Sequence, residues 1–303
     1  VYTGRDEILT YDYKTRNEYQ PGVIVNNGSL KIEGNLAAYG KVDDVEPVIT
    51  INGKDSSVEI AKSLSIAAGR VVQYGDKEDF SNKAEVAVLA DGGNLLVKSG
   101  VNIYGSLHAT NEGNIELRSG DGMTVMGDLI ADKNAKIKLV SNQGNVDLDS
   151  NVSTDATGEV ILDFTNSGLL KNKWKGDNNG NTQLVMDNGE WRGNNNGNIT
   201  ASLVNSSTWT GANTGANATV NMTDSSWSGD NSGAGLSLTA NNSKWNGSTS
   251  AAGSATLTNG SIWTGASTSA DFALTLNGST WNNSGASSLK SFAATNGIVD
   301  MSN

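Results

Sequence analysis

Residues 209–247 read WTGANTGANATVNMTDSSWSGDNSGAGLSLTANNSKWNG, and their three tryptophans are separated by intervals of 18 residues. The whole chain has seven tryptophans, with one interval of 17 residues and five of 18: Trp174, Trp191, Trp209, Trp227, Trp245, Trp263 and Trp281. A glycine stands two positions after each of them except Trp281. A short fixed period of this kind is typical of a solenoid, in which each repeat covers the hydrophobic face of the previous one.

Apolar and polar residues alternate ahead of each tryptophan. Leu238 and Ala240 precede Trp245 by seven and five positions, and most other repeats follow the same pattern. Alternation with period two predicts a strand with one buried face. Leu203 and Leu257 lie one place out of this pattern, so we expect their repeats to be less regular, with these two residues out of register with the equivalent residues of neighbouring repeats.

A coil of about 18 to 23 residues, built from short strands and tight corners, predicts a parallel β-helix with equivalent strands about 4.8 Å apart. Identical residues then stack as Trp, Gly and Asn ladders, and stacked Asn side chains can hydrogen-bond to one another without any ligand. The apolar residues do not recur every six residues, which excludes a left-handed β-helix built from hexapeptides. The prediction is an all-β, right-handed, three-stranded parallel β-helix that forms a single elongated domain.

The tryptophans could point inward as a buried stack or outward as a stripe on which sugar rings stack. Polar residues flank most of them, as Ser226 and Ser228 flank Trp227. A long exposed aromatic stripe also invites aggregation. We therefore expect a buried structural ladder.

The chain before the tryptophan repeats carries three columns of alternating apolar residues. We expect 1–25 to be an irregular N-terminal segment, 26–165 to be β-helix with longer charged rungs, 166–303 to be β-helix with the 18-residue tryptophan repeats, and Gln73 to Lys83 to be a projecting loop. The predicted columns contain Leu95, Val97, Ile115, Leu117, Ile137, Leu139, Val160 and Leu162 in the first; Val101, Ile103, Met123, Val125, Val146 and Leu148 in the second; and Leu107, Leu129 and Val152 in the third.

Charge and cysteine content narrow the class of partner. The net charge is −11, which argues against nucleic acid and anionic lipid as partners. The chain has no cysteine, which suits a bacterial chain exported unfolded and without disulfides. It has no run of 18 apolar residues and no signal peptide ahead of Val1, so we expect a soluble protein or a mature fragment of a longer one.

One unit of the repeat, Leu274-Thr275-Leu276-Asn277-Gly278-Ser279-Thr280-Trp281, together with Ser287 to Phe292 and Asn296 to Val299, resembles the passenger domains of AIDA-type and pertactin-like autotransporters. The resemblance covers the tryptophan-containing half well and the N-terminal half only in style. It implies a right-handed β-helix displayed outside a Gram-negative outer membrane and attached, in the full protein, to an outer-membrane β-barrel that this sequence lacks. Members are mostly adhesins for host surfaces, matrix proteins or neighbouring bacteria.

Two groups of basic residues are the candidate ligand-binding residues. Lys98 and Arg118 occupy equivalent places on adjacent rungs, and a second group stands at the start of the tryptophan repeats. Such groups can bind the sulfate or carboxylate of a matrix glycan, although they also solubilise a strand face. The second group consists of Lys171, Lys173, Lys175 and Arg192.

The residues offer little for catalysis. His108 is the only histidine, and we expect it to be an ordinary surface residue. The Gly-Asp-Ser-Gly motif of the serine-protease branch of this family is absent. Asp147 and Asp149 lie near Asp121 and Asp128 by rung alignment and could bind calcium, as a polysaccharide lyase requires, but solvated carboxylates are the commoner case. We expect no catalytic residue, no metal site and no cofactor.

The sequence thus predicts a non-enzymatic bacterial surface adhesin. Its expected partners are host-surface glycans such as glycosaminoglycans, or matrix proteins such as fibronectin. Its side faces, with their outward Asn, Ser and Thr columns, are the expected binding surface. Self-association that drives bacterial aggregation and biofilm formation is the alternative, and a polysaccharide lyase or hydrolase is a third.

Overall fold

The computed structural model describes residues 3–4, 7–9, 23–39, 47–68, 86–143, 145–165 and 171–302. These residues form strands and turns and no helix, and the strands are numbered β1 to β35 in chain order. The chain divides into two compact units, mainly Val1–Ile161 and Lys171–Asn303. The predicted loop Gln73 to Lys83 lies outside the described residues.

The first unit repeats three strands per turn, and the strands described below pair in parallel with their equivalents; a single bridge between Asn52 and Gly92 is antiparallel. Its first column, in order of pairing, is β1 (Thr3–Gly4), β4 (Ser29–Ile32), β7 (Ser57–Ile60), β10 (Asn94–Val97), β13 (Asn114–Ser119) and β16 (Lys136–Ser141). Its second column is β2 (Glu7–Leu9), β5 (Leu36–Tyr39), β8 (Ser63–Ala67), β11 (Gly100–Tyr104), β14 (Met123–Met126) and β17 (Val146–Asp149). Its third column is β3 (Val23–Asn26), β6 (Ile49–Asn52), β9 (Val86–Asp91), β12 (Ser106–Thr110), β15 (Leu129–Ala131) and β18 (Val152–Thr154).

The predicted columns of the first unit are confirmed in their register. Leu95 pairs with Ile115, Val101 with Met123, and Leu107 with Leu129. All six of these side chains are buried, because alternate residues of each strand face the interior. Strands β1 and β2 lie within 1–25, which the sequence predicted to be irregular.

The strand β19 (Glu159–Phe164) lies at the division between the units. The first column of the second unit is β22 (Asn181–Asp187), β24 (Asn198–Val204), β26 (Ala218–Thr223), β28 (Leu236–Asn241), β30 (Gly253–Thr258), β32 (Phe272–Asn277) and β34 (Ser291–Thr295). Its second column is β20 (Asn172–Lys175), β23 (Gly189–Arg192), β25 (Thr208–Thr210), β27 (Ser226–Ser228), β29 (Lys244–Asn246), β31 (Ile262–Gly265), β33 (Thr280–Asn283) and β35 (Ile298–Asp300). In place of a full third column it has β21 (Asn178–Asn179) and single parallel bridges, so its rungs are shorter.

These pairings confirm the predicted all-β fold, a parallel β-helix whose strands pair with their equivalents one rung away. Its right-handed sense stays a prediction.

The turn after each first-column strand of the second unit holds a residue in the left-handed region. Six of these residues are Asn or Asp with φ between 48° and 55°: Asn188, Asn205, Asp224, Asn242, Asn259 and Asn296. Asn and Asp tolerate this conformation because their short polar side chains bond locally. The turn chemistry therefore fixes where each strand ends.

The expected misregister at Leu203 and Leu257 is wrong. Leu203 pairs with both Met186 and Met222, and Leu257 pairs with Ala240 and Leu276. The extra residue of these two repeats is accommodated in the turn, where Ser206 (φ 67°) and Gly260 (φ 80°) supply a second left-handed position. The strands stay aligned because the turn absorbs the insertion.

A turn of the first unit is organised by Asp155. Its carboxylate accepts hydrogen bonds of 2.8 Å from the backbone N–H groups of Lys133, Thr157 and Gly158. These bonds lower the pKa of Asp155 to about 2. Because the folded pKa is depressed, the stabilisation is present above the ordinary pKa of 3.8 and is lost as the pH falls towards 2.

Candidate functional site

The tryptophan ladder is buried, as predicted. Six of the seven side chains are at most 1 % exposed and Trp281 is 5 % exposed. Neighbouring rings lie 4.4 to 5.0 Å apart between centroids, with interplanar angles of 4° to 8°. The indoles are part of the core of the second unit and leave no aromatic stripe for sugar stacking.

Each tryptophan after the first also bonds to the glycine of the previous rung. The indole N–H of Trp227 donates to the carbonyl oxygen of Gly211 at 2.9 Å, and the other five pairs measure 2.8 to 3.0 Å. A Cβ on Gly229 would lie 1.9 Å from the carbonyl oxygen of Gly211. The recurring Trp-x-Gly pattern thus reflects one close backbone contact and one hydrogen bond per rung. The sequence showed the pattern but not this bond.

The asparagine column four places after the tryptophans lies inside the coil. The side-chain amides of Asn178, Asn195 and Asn213 each donate to the next residue's amide oxygen at 2.6 Å, and Asn231 donates to the hydroxyl of Thr249 at 2.8 Å. All five side chains are buried. The predicted hydrogen-bonded Asn ladder is confirmed, and these buried amides are removed from the protein surface.

Replacing Asn213 with alanine is expected to lower the free energy of unfolding by about 2 kcal/mol, because it leaves a buried donor on Asn195 and a buried acceptor on Asn231 without their partner. Urea unfolding followed by circular dichroism measures the change. The exposed Asn221→Ala variant should stay within about 0.5 kcal/mol of the parent. Equal effects of the two substitutions would contradict a buried amide ladder.

Each member of the first predicted basic pair lies beside a carboxylate. The ammonium group of Lys98 lies 2.7 Å from the carboxylate of Glu59, and Arg118 makes contacts of 2.7 and 2.8 Å to one carboxylate oxygen of Glu116. Glu116 also faces Lys138 across the rung, as predicted. Both cations therefore form exposed ion pairs along the strand face, and their binding of a ligand stays a prediction.

The second basic group is brought together on the outward face of β20 and β23. Register places Lys173 beside Glu190 and Lys175 beside Arg192, with Lys171 just before β20. All four cationic side chains are exposed. Arg192 contacts Glu190 through Nε at 2.6 Å. We call Lys171, Lys173, Lys175 and Arg192 the cationic patch; Glu190 is the carboxylate that lies on the same two strands.

The only histidine is partly buried in the third column of the first unit. Its Nε2 lies 3.1 Å from a carboxylate oxygen of Asp132, and the Thr110 hydroxyl donates to the other oxygen. Burial acts to raise the pKa of Asp132, but the hydrogen bonds from Thr110 and His108 outweigh it and hold that pKa below its ordinary value. His108 is thus a partly buried residue that contacts Asp132, and not the ordinary surface residue that the sequence predicted.

The predicted acidic patch remains a set of separate carboxylates. Asp147 and Asp149 pair in register with Thr124 and Met126, and Asp128 accepts hydrogen bonds from Asn151. The described part of the chain contains no cluster of three or more His, Cys, Asp or Glu side chains suited to a metal ion.

A second candidate surface belongs to the outward Asn, Ser and Thr columns that the sequence indicated as a binding surface. Outward side chains of β24 to β32 form two rows across the first column of the second unit, and register aligns them from strand to strand. We call these rows the hydroxyl face. Its first row is Thr200, Thr219, Ser237 and Ser254, and its second row is Ser202, Asn221, Thr239, Thr256 and Thr275.

No helix in the described ranges is long and apolar enough to cross a membrane. No protein-family model matches the chain, and neither a curated protein nor a solved structure matches it.

Proposed function

We propose that the protein is a non-enzymatic bacterial surface adhesin that binds anionic glycans of the host surface through the cationic patch. The observation that carries this proposal is the gathering of Lys173, Lys175 and Arg192 on two adjacent strands, with Lys171 directly before the first of them. The resemblance of the repeat unit to autotransporter passenger domains supports the surface location.

The electrostatics of the patch favour a polyanion. Alternate residues of a strand are about 6.6 Å apart and adjacent strands are about 4.8 Å apart, so the cations form a small two-dimensional array. Arg192 contacts Glu190 through Nε, which leaves its terminal amino groups to donate to a sulfate or carboxylate. The protein as a whole is acidic, with a net charge of −11, so a polyanion is attracted only locally.

The array also suits a flexible, repetitively charged ligand. Each exposed ion pair contributes little alone, and screening by salt weakens it further. A glycosaminoglycan chain that contacts several cations at once gains affinity through multivalency. A matrix protein such as fibronectin is the second partner class, since an acidic surface segment could contact the same cations.

Heparin is expected to bind the protein, and the Lys173→Gln, Lys175→Gln double variant is expected to lose about ten-fold in affinity, because two ligand contacts disappear. Raising NaCl from about 0.1 M to about 1 M should abolish binding by the parent. Isothermal titration calorimetry measures both effects on heparin binding. Binding of the protein to immobilised fibronectin tests the second partner class.

The matched control is the Lys244→Gln, Lys290→Gln double variant, which removes the same charge from exposed positions elsewhere in the second unit. It should bind heparin about as well as the parent. Equal losses in the two double variants would assign binding to net charge rather than to the patch. Absence of heparin and fibronectin binding by the parent would reject the proposed function.

A further inference from the structure

The side chains of the hydroxyl face have no hydrogen-bond partner among the described residues of the protein. Within residues 171–302, the structure shows no side-chain hydrogen bond for any member of its two rows. In contrast, Ser207, Ser243 and Ser261 in the inward turns each donate to backbone carbonyls. The hydroxyls of the face are therefore free to bond a ligand.

The hydroxyl face is also uncharged, unlike the corresponding face of the first unit. There the outward positions carry Glu59, Glu116 and Lys138, which form ion pairs with other residues of that face. The two rows of the hydroxyl face contain only Ser, Thr and Asn. A charged ligand would find no counter-charge on these rows, so the matching ligand is uncharged.

The geometry of the two rows suits an extended polymer of hydroxyl groups. Members of one row repeat about 4.8 Å apart and the rows are about 6.6 Å apart, which gives a flat lattice. Hydroxyl groups both donate and accept hydrogen bonds, as the hydroxyls of a sugar do, and threonine adds a methyl group that can contact a sugar ring. A ribbon-like chain laid across the strands would meet an equivalent pair of polar side chains on β24, β26, β28 and β30, and Thr275 alone on β32.

We propose that the hydroxyl face binds an uncharged, extended β-linked polysaccharide that lies across β24 to β32. This site is separate from the cationic patch and does not depend on the proposed binding of anionic glycans. Each hydrogen bond replaces bonds to water and contributes little, so affinity comes from repetition and rises with chain length. Binding is insensitive to salt, because no ion pair is involved.

Depletion of the purified chain by microcrystalline cellulose and by chitin tests the proposal, with helical α-linked amylose as the comparison polymer. The parent should bind at least one of the two β-linked polymers and should bind amylose weakly. The Thr219→Glu, Thr239→Glu double variant should bind about ten-fold less, because two solvated carboxylates interrupt the lattice. Binding by the parent should change less than about two-fold between about 0.1 M and about 1 M NaCl.

Two controls separate the face from its surroundings. The Thr210→Glu, Asn246→Glu double variant places the same charge on the second-column face and should bind like the parent. The Thr239→Val, Thr256→Val variant keeps the side-chain shape, removes two hydroxyls and should bind more weakly. Melting temperatures establish that each variant is folded. The Lys173→Gln, Lys175→Gln variant should retain polysaccharide binding even though it loses heparin, so failure of one site is distinguishable from failure of the other.

Three outcomes would overturn the proposal: no depletion by cellulose or chitin, equal depletion of the parent and the Thr219→Glu, Thr239→Glu variant, or a strong loss of binding at high salt. Sedimentation provides a fourth. Concentration-dependent dimers of the parent that are absent in the same variant would assign the face to a second copy of the chain.

Discussion

Replacing Trp227 with alanine is expected to lower the free energy of unfolding by about 3 to 5 kcal/mol, the range for large aromatic residues in a packed core. Trp227 stacks on Trp209 and Trp245 with centroid distances of 4.4 and 5.0 Å, so its removal leaves two ring faces without a partner. The substitution also leaves the carbonyl oxygen of Gly211 without its indole donor. Urea or thermal unfolding followed by far-UV circular dichroism measures the change.

The Trp227→Phe variant serves as the matched control. It retains an aromatic ring in the stack but lacks the N–H group, so the expected loss is about 1 to 3 kcal/mol. A loss below about 1 kcal/mol for Trp227→Ala would show that the stack is not a major source of stability.

Replacing Gly229 with alanine is the second large effect, with an expected loss of about 3 kcal/mol or more. The added Cβ would lie 1.9 Å from the carbonyl oxygen and 2.6 Å from the carbonyl carbon of Gly211, both of them backbone atoms that cannot rotate away. The rungs would have to separate locally. That movement weakens the bond from the Trp245 indole to the carbonyl oxygen of Gly229, which measures 3.0 Å.

The control is Gly235→Ala in the same unit. A Cβ there would lie 3.4 Å from the side-chain oxygen of Asn217, which is an ordinary contact. The expected change is within about 1 kcal/mol, because alanine also reduces the entropy of the unfolded chain. If both glycine variants unfold at the same urea concentration, the close approach of the rungs is not what requires glycine in the Trp-x-Gly pattern.

Much of the fold could be predicted from the sequence because the repeat is short and its strands follow period two. The 18-residue interval led directly to stacked tryptophans, and the columns through Leu95, Val101 and Leu107 gave the register of the first unit. The alignment of Leu203 could not be found this way. Its insertion lies in a turn, and spacing measured from Trp209 cannot show whether a turn or a strand absorbs an extra residue.

The candidate binding surfaces were less predictable, because residue type alone does not show whether a polar side chain points into the core or towards solvent. Lys98 and Arg118 align as a basic pair in sequence, but their engagement depends on carboxylates that reach them from other positions. Asn213 and Asn221 are the same residue type, yet one is buried in the ladder and the other lies on the hydroxyl face. Only burial and hydrogen bonding divide the many Ser, Thr and Asn residues into structural and available ones.

The location of the indoles has a practical consequence for spectroscopy. All seven tryptophans lie in the second unit, so fluorescence excited selectively in tryptophan reports on that unit alone. Parallel rings at 4.4 to 5.0 Å are close enough for their electronic transitions to couple. The near-ultraviolet circular dichroism of the native protein therefore contains a signal from the intact stack. The loss of that signal during unfolding would show when the rungs separate.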